Sequence, residues 1–92
     1  MNKPVLNISE EANQQLDRLV HGFKKLNGFH KVELYRVTDG EVVIGAKKFI
    51  DAETDEEDIK QYKKIFIKAL RDIYKPFTGE RKVYVHMKFY IE

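Results

Sequence analysis

The final stretch of the chain alternates without a break. From Lys82 onward, Val83, Val85, Met87, Phe89 and Ile91 fall on one side, and Lys82, Tyr84, His86, Lys88 and Tyr90 on the other. Successive side chains of a strand point to opposite faces, so this pattern predicts a half-buried strand and excludes a helix. Its apolar row has to be covered. That demand constrains the fold to a sheet with one packed face and one open face.

Two amphipathic segments can do the covering. Ser9 stands where an N-cap hydroxyl is needed, Glu10 and Glu11 suit the positive end of a helix dipole, and Asn27-Gly28 supplies a left-handed stop. Between them Ala12, Leu16, Leu19, Val20, Phe23 and Leu26 lie on one stripe, which predicts a helix over residues 10–27. A second stripe, Ile59, Tyr62, Phe66, Ala69, Leu70 and Ile73, follows Thr54-Asp55-Glu56-Glu57. Thr54 and Glu57 match a capping box, in which each side chain bonds the other's backbone amide. This helix is expected to end near Lys75, because Pro76 has no N–H with which to continue it.

Residues 30–37 and 41–50 are β-type runs around Thr38-Asp39-Gly40. A two-residue Asp39-Gly40 turn would pair Tyr35 with Ile44 and mix the two faces. A three-residue loop, with Gly40 as a bulge glycine, pairs Leu34 with Ile44 and Val32 with Ala46. That register places Val32, Leu34, Val42, Ile44 and Ala46 inward and Lys31, Glu33, Tyr35, Val43, Lys47 and Phe49 outward. It is the expected one, since a one-residue slip would scramble the inner face.

Ninety-two residues hold one core, so residues 1–92 are expected to be a single α+β domain. Its topology depends on the short apolar segment from Pro4 to Ile8. If residues 4–8 form a strand, the order is βαββαβ, the ferredoxin-like arrangement with both helices on one face of an antiparallel sheet. If they do not, the order is αββαβ with a three-stranded sheet.

A hydrophobic fraction of 42% with 35% charged residues fits a folded chain rather than a disordered one. The absence of cysteine excludes a disulfide framework and a thiolate zinc site, and fits a reducing compartment. The first residues lack the apolar core of a signal peptide, and no apolar run approaches the roughly 18–20 residues of a membrane span. The expectation is a cytoplasmic protein without membrane contact.

Four constellations bear on function. The outward row of the last strand, Tyr84, His86, Lys88 and Tyr90 beside Lys82, is joined by Tyr35, Lys47, Phe49 and Lys31 from the hairpin. Tyrosines interleaved with lysines suit protein docking or self-association, and equally the stacking of unpaired bases with cations for phosphates. The Gly-and-aromatic motif of RNA-recognition sheets is absent: the corresponding residues read Glu41-Val42-Val43-Ile44-Gly45-Ala46. An ordinary solvated strand face has the same composition.

The second constellation is a basic stripe on the second helix, Lys60, Lys64, Lys68, Arg71 and Lys75, where like charges three or four residues apart repel. A solvated face explains it more simply than an anionic partner. It is expected on the opposite side of the domain from the Tyr/Lys row. The third is acidic: residues 51–58 hold six acids. The seventeen bases then face only the remaining nine acids elsewhere, a local balance of +8 behind an overall net charge of +2. Asp51, Glu53 and Asp55 resemble the spacing of a calcium loop, but Glu56 replaces the required glycine and Tyr62 the bidentate glutamate, so no calcium site is expected.

The fourth is histidine. His21, His30 and His86 lie on different elements and show no metal-ligand spacing. No phosphate loop or activated nucleophile appears. The expectation is therefore a non-enzymatic accessory or regulatory protein, with no metal or cofactor, that binds a protein partner or its own copy through the sheet face or the C-terminal strand. Single-stranded nucleic acid is the alternative partner. An enzyme would require a concave pocket holding a titratable group with a displaced pKa.

Overall fold

The computed structural model describes residues 3–92. It contains helix α1 (Glu10–Asn27), strands β1 (Phe29–Val37) and β2 (Glu41–Ile50), helix α2 (Glu56–Thr78) and strand β3 (Lys82–Ile91). The order is αββαβ, a small α+β fold with a three-stranded open sheet in which β2 is central. β1 pairs antiparallel with β2, whereas β2 and β3 run parallel.

Residues 4–8 therefore do not supply the first strand of a ferredoxin-like sheet, and the sheet is mixed rather than antiparallel. The reason is one of competition for the edge of β2. Residues 4–8 offer at most five positions and begin with a proline, which lacks a ladder donor. β3 offers ten and uses all of them, from Glu41 opposite Lys82 to Ile50 opposite Ile91. The intervening helix reverses the direction of the chain, so β3 returns parallel to β2. The N-terminal segment folds against the core instead: Ile8 N–H donates to Leu6 C=O at 3.0 Å, and the Leu6 side chain is buried.

Both helices cover the same face of the sheet. Leu16 and Phe23 of α1, Leu70 and Tyr74 of α2, and Val42, Ile44, Ala46 and Val83 of the strands form one buried cluster with Leu6 and Phe29. Phe23, Phe29 and Phe66 meet in edge-on and tilted ring contacts with centroids 5.0–6.0 Å apart. Helix α1 is capped as expected, with Ser9 Oγ accepting from Ala12 N–H at 3.1 Å and Gly28 left-handed at φ 67°. Lys48 adds a second cap. Its Nζ donates to Asn27 C=O at 2.6 Å and sits 5.6 Å from the Phe29 ring centroid, placing a cation at the negative end of α1.

Three local expectations need correction. The N-cap of α2 is Asp55, whose carboxylate accepts from Glu57 N–H at 3.3 Å, so the Thr54–Glu57 capping box does not form. Thr54 N–H instead donates to Asp51 C=O at 3.0 Å, closing a turn ahead of the helix. The helix also runs through Pro76 to Thr78. A proline this close to the end removes a single backbone bond. The burial of Tyr74 and Thr78, with the partly buried Phe77, holds the last turn in place. Finally, Leu19, Leu26 and Tyr62, assigned to buried stripes, are exposed, Leu26 by 84%.

The hairpin combines features of both turns weighed from the sequence. Leu34 does pair with Ile44 and Val32 with Ala46, but Gly40 is not the bulge residue and does not take a left-handed conformation. The tip closes tightly, with Thr38 N–H donating to Glu41 C=O at 2.9 Å, Val37 opposite Val42 and Arg36 opposite Val43. The extra residue is Tyr35, within β1, where the register shifts between Leu34 and Arg36. A bulge there lets a tight turn coexist with a consistent inner face.

Tyr35 has a particular neighbour. A Cβ on Gly45 would collide with its ring carbons, so the ring rests directly over the Gly45 backbone. Gly45→Ala is expected to displace the ring, at a net cost of about 1–2 kcal/mol in urea unfolding. In a Tyr35→Ala background the same change should cost much less, and equal costs in both backgrounds would contradict the contact. Leu6→Ala is expected to cost about 2 kcal/mol, because its cavity opens beside a terminal segment able to relax. An unchanged unfolding midpoint would show that residues 4–8 do not dock.

Candidate functional site: the open sheet face and the edge of β3

The face of the sheet away from the helices gathers the residues singled out in the sequence. Parallel pairing aligns Val43 with Tyr84, Gly45 with His86, Lys47 with Lys88 and Phe49 with Tyr90. Because β2 and β3 are in register, the outward row of each stands beside that of the other. Tyr35, Phe49, Tyr84 and Tyr90 are 39–47% exposed, enough to hold their places on the sheet and still offer ring surface. Val43 points outward yet is buried, with Arg36 and Tyr84 as its register partners.

At the far end of this face the rings touch. Phe49 and Tyr90 have centroids 5.8 Å apart, and His30 meets Phe49 edge-on at 5.5 Å. His30 reaches this face because it is a second bulge of β1, where the register shifts between Phe29 and Lys31. Nothing in the alternation of residues 30–37 marks that bulge. His30 and His86 lie on strands separated by β2, so they are not partners across a ladder. Among the described residues no three His, Asp or Glu side chains gather in a way that could hold a metal ion. Two carboxylates of the acidic segment serve turns instead: Asp51 accepts from Glu53 N–H at 2.9 Å and Asp55 caps α2.

The two edges of the sheet differ. β1 carries both bulges, an irregularity that hinders the addition of another strand. β3 is paired along all ten residues on its β2 side without a register shift, and among the described residues no strand lies on its other side. Lys82 N–H donates to Gly40 C=O and Glu92 N–H to Ile50 C=O, so the even-numbered backbone groups face β2. The odd-numbered groups, from Val83 to Ile91, face outward. One of them is engaged: Arg71 Nε donates to Val83 C=O at 3.2 Å.

That bond brings one end of the basic stripe to the margin of the sheet, closer to the open face than expected. Arg71 and Lys75 of α2 line a groove of about 390 Å³ together with Arg81, Lys82, Val83 and Tyr84, along the edge of β3. Further along, Lys63 Nζ stands 5.7 Å from the Phe89 ring centroid. Of the stripe, Arg71 and Lys75 reach the edge of β3, against which α2 packs. Lys68 is set apart from the rest of the stripe by its ion pair with Asp72 at 3.1 Å.

A second concavity lies between α1 and β1. It measures about 700 Å³ and is lined by Asp17, His21 and Lys24 of α1, by Glu33 and Tyr35 of β1, and by the buried Tyr74. Burial, with a smaller contribution from the Asp17 carboxylate, pushes the Tyr74 phenol up to about 12. A phenol raised in this way stays protonated and can donate a hydrogen bond, but it is a poor proton acceptor near neutrality. No periodicity or motif marks this groove, since its residues come from four separate segments.

The Tyr74 shift has a consequence for stability. Its pKa is higher in the folded state, so the native protein retains the proton between about pH 10 and 12 while the unfolded chain loses it. Stability is unaffected below that window and falls as pH rises through it, by about 2–3 kcal/mol from this group. Urea unfolding of the wild type and of Tyr74→Phe at both ends of the window measures this. The variant is expected to lose less stability than the wild type, and parallel losses would contradict the shift.

The chain matches no protein-family model, no curated protein and no solved structure. Among the described residues no helix is long and apolar enough to cross a membrane.

Proposed function

We propose that this protein is a non-enzymatic binding module that engages a protein partner, or a second copy of itself, through β3. The observation that carries the reading is the contrast between the two sheet edges. One edge is interrupted by bulges at His30 and Tyr35, and the other is ten regular residues whose outward backbone groups pair with no strand among the described residues. An edge of this kind accepts an added strand through main-chain hydrogen bonds, with neighbouring side chains supplying specificity. Tyr84, Tyr90 and Phe49 beside it are of the residue types enriched at interfaces, with His86, Lys88 and Lys47 as polar surroundings. A cytoplasmic, regulatory or accessory role is part of the same proposal.

A second reading, single-stranded nucleic acid, is favoured by the half-exposed rings of Tyr35, Tyr84 and Tyr90 sharing a face with Lys47 and Lys88. Such a face can stack bases and neutralise phosphates.

Selection of extended peptides from a random displayed library on the intact domain separates the two. Under the leading reading, selected peptides perturb the backbone resonances of residues 83–91 and bind about tenfold more weakly to Tyr84→Ala. Resonance changes confined to other elements would contradict it. Under the second reading a labelled single-stranded oligonucleotide binds, weakens steeply with salt, and loses about 1–3 kcal/mol in Tyr84→Ala.

A further inference from the structure

The partner's chemistry can be argued from where the charges near β3 are left uncompensated. Three ion pairs form among the described residues. Two of them, Lys31–Glu33 and Arg36–Glu41, neutralise the β1 side of the open face, and the third is Lys68–Asp72 on α2. None involves Arg71, Lys75, Arg81 or Lys82, which gather in the groove at the start of the β3 edge with Glu80 as the sole acid. Lys63 and Lys88, further along the strand, are also outside these pairs. The cations at the start of the open β3 edge thus outnumber the acids near them, Glu80 in the groove and Glu41 beside Lys82, whereas the charges on the β1 side are paired.

We infer that the β3 edge takes an extended acidic peptide segment of another protein as a fourth strand, with carboxylates of that segment seated among Arg71, Lys75, Arg81 and Lys82. The inference rests on the β3-edge reading above and gives it a ligand class. Arg71 sets one end of the added strand. Its Nε already holds Val83 C=O, so the incoming backbone pairs with the outward groups of Val85, Met87 and Phe89. The guanidinium has four further N–H donors, in a fork suited to a carboxylate. Side chains of a strand alternate, so an acidic row on the added strand extends the outward row Lys82, His86 and Lys88, while its apolar row continues the inward row of β3.

A second copy of β3 fits this edge less well. It would bring lysines and a histidine beside lysines and a histidine, and like charges opposed across a ladder are destabilising. Nucleic acid would satisfy the cations but leave the open backbone donors and acceptors without strand partners.

Fluorescence anisotropy with the full chain tests the inference. The probe is a labelled peptide about seven residues long, the usual span of a paired strand, alternating glutamate with valine and blocked at both ends. Matched probes carry lysine or glutamine in place of glutamate, and a labelled single-stranded oligonucleotide completes the set. The acidic peptide should bind the wild type, weaken as salt is raised, and weaken at least about tenfold in the exposed double variant Lys75→Glu/Lys82→Glu. Its binding should shift the amide resonances of Val85, Met87 and Phe89. Circular dichroism of the variant confirms that it folds.

Equal binding of the three peptides, with those amides shifted, would overturn the acidic preference and leave the edge reading standing. Peptide binding that leaves the three amides unmoved, or no peptide binding at low salt, would overturn both. Light-scattering mass that doubles with concentration and resists the acidic peptide would assign the edge to a second copy. Oligonucleotide binding without peptide binding would assign the cations to nucleic acid.

Discussion

The parallel ladder between β2 and β3 is the constraint from which the rest of the molecule follows. It fixes β2 as the central strand, so Val42, Ile44 and Ala46 are covered by helices on one side and flanked by strands on both edges. It requires a long return path, which α2 supplies while laying Leu70 and Tyr74 onto the same face. It also leaves β3 at the margin of the sheet, with a full row of backbone groups turned outward. A four-stranded alternative would have placed another strand between β2 and β3, aligning different outward residues.

Much of this is legible in the sequence because it depends on period alone. The alternation of residues 82–91 and the apolar stripes containing Leu16 and Phe23, and Leu70, report directly which face is buried. The inner-face pairing of the hairpin follows from the same logic, since only one register keeps Val32, Leu34, Ile44 and Ala46 together. What period cannot report is where a chain absorbs a mismatch. The bulge at Tyr35 depends on its ring finding space over Gly45, a contact ten residues away. The persistence of α2 past Pro76 depends on Tyr74, Phe77 and Thr78 being held by the core, and local propensity is silent about that.

The candidate site was legible in its members but not in its arrangement. Tyr84, His86, Lys88 and Tyr90 share a face for the reason alternation gives, and parallel register adds Lys47 and Phe49. The reach of the basic stripe was not legible, because helical periodicity gives the spacing of Lys60, Lys64, Arg71 and Lys75 but not the rotation of α2 that brings Arg71 and Lys75 to the β3 edge. The Arg71–Val83 bond fixes that rotation and sets Arg71 and Lys75 beside Arg81 and Lys82. The proposal of an acidic strand partner depends on that adjacency.

Amide hydrogen exchange of the isolated protein, followed by NMR along β3, tests the open parallel edge most directly. Slow exchange is expected for Tyr84, His86 and Lys88, whose N–H groups face β2, and fast exchange for Val85, Met87 and Phe89, whose N–H groups face outward. Uniformly slow exchange along the strand would mean that β3 is already paired on both sides. An edge awaiting a partner would then not exist.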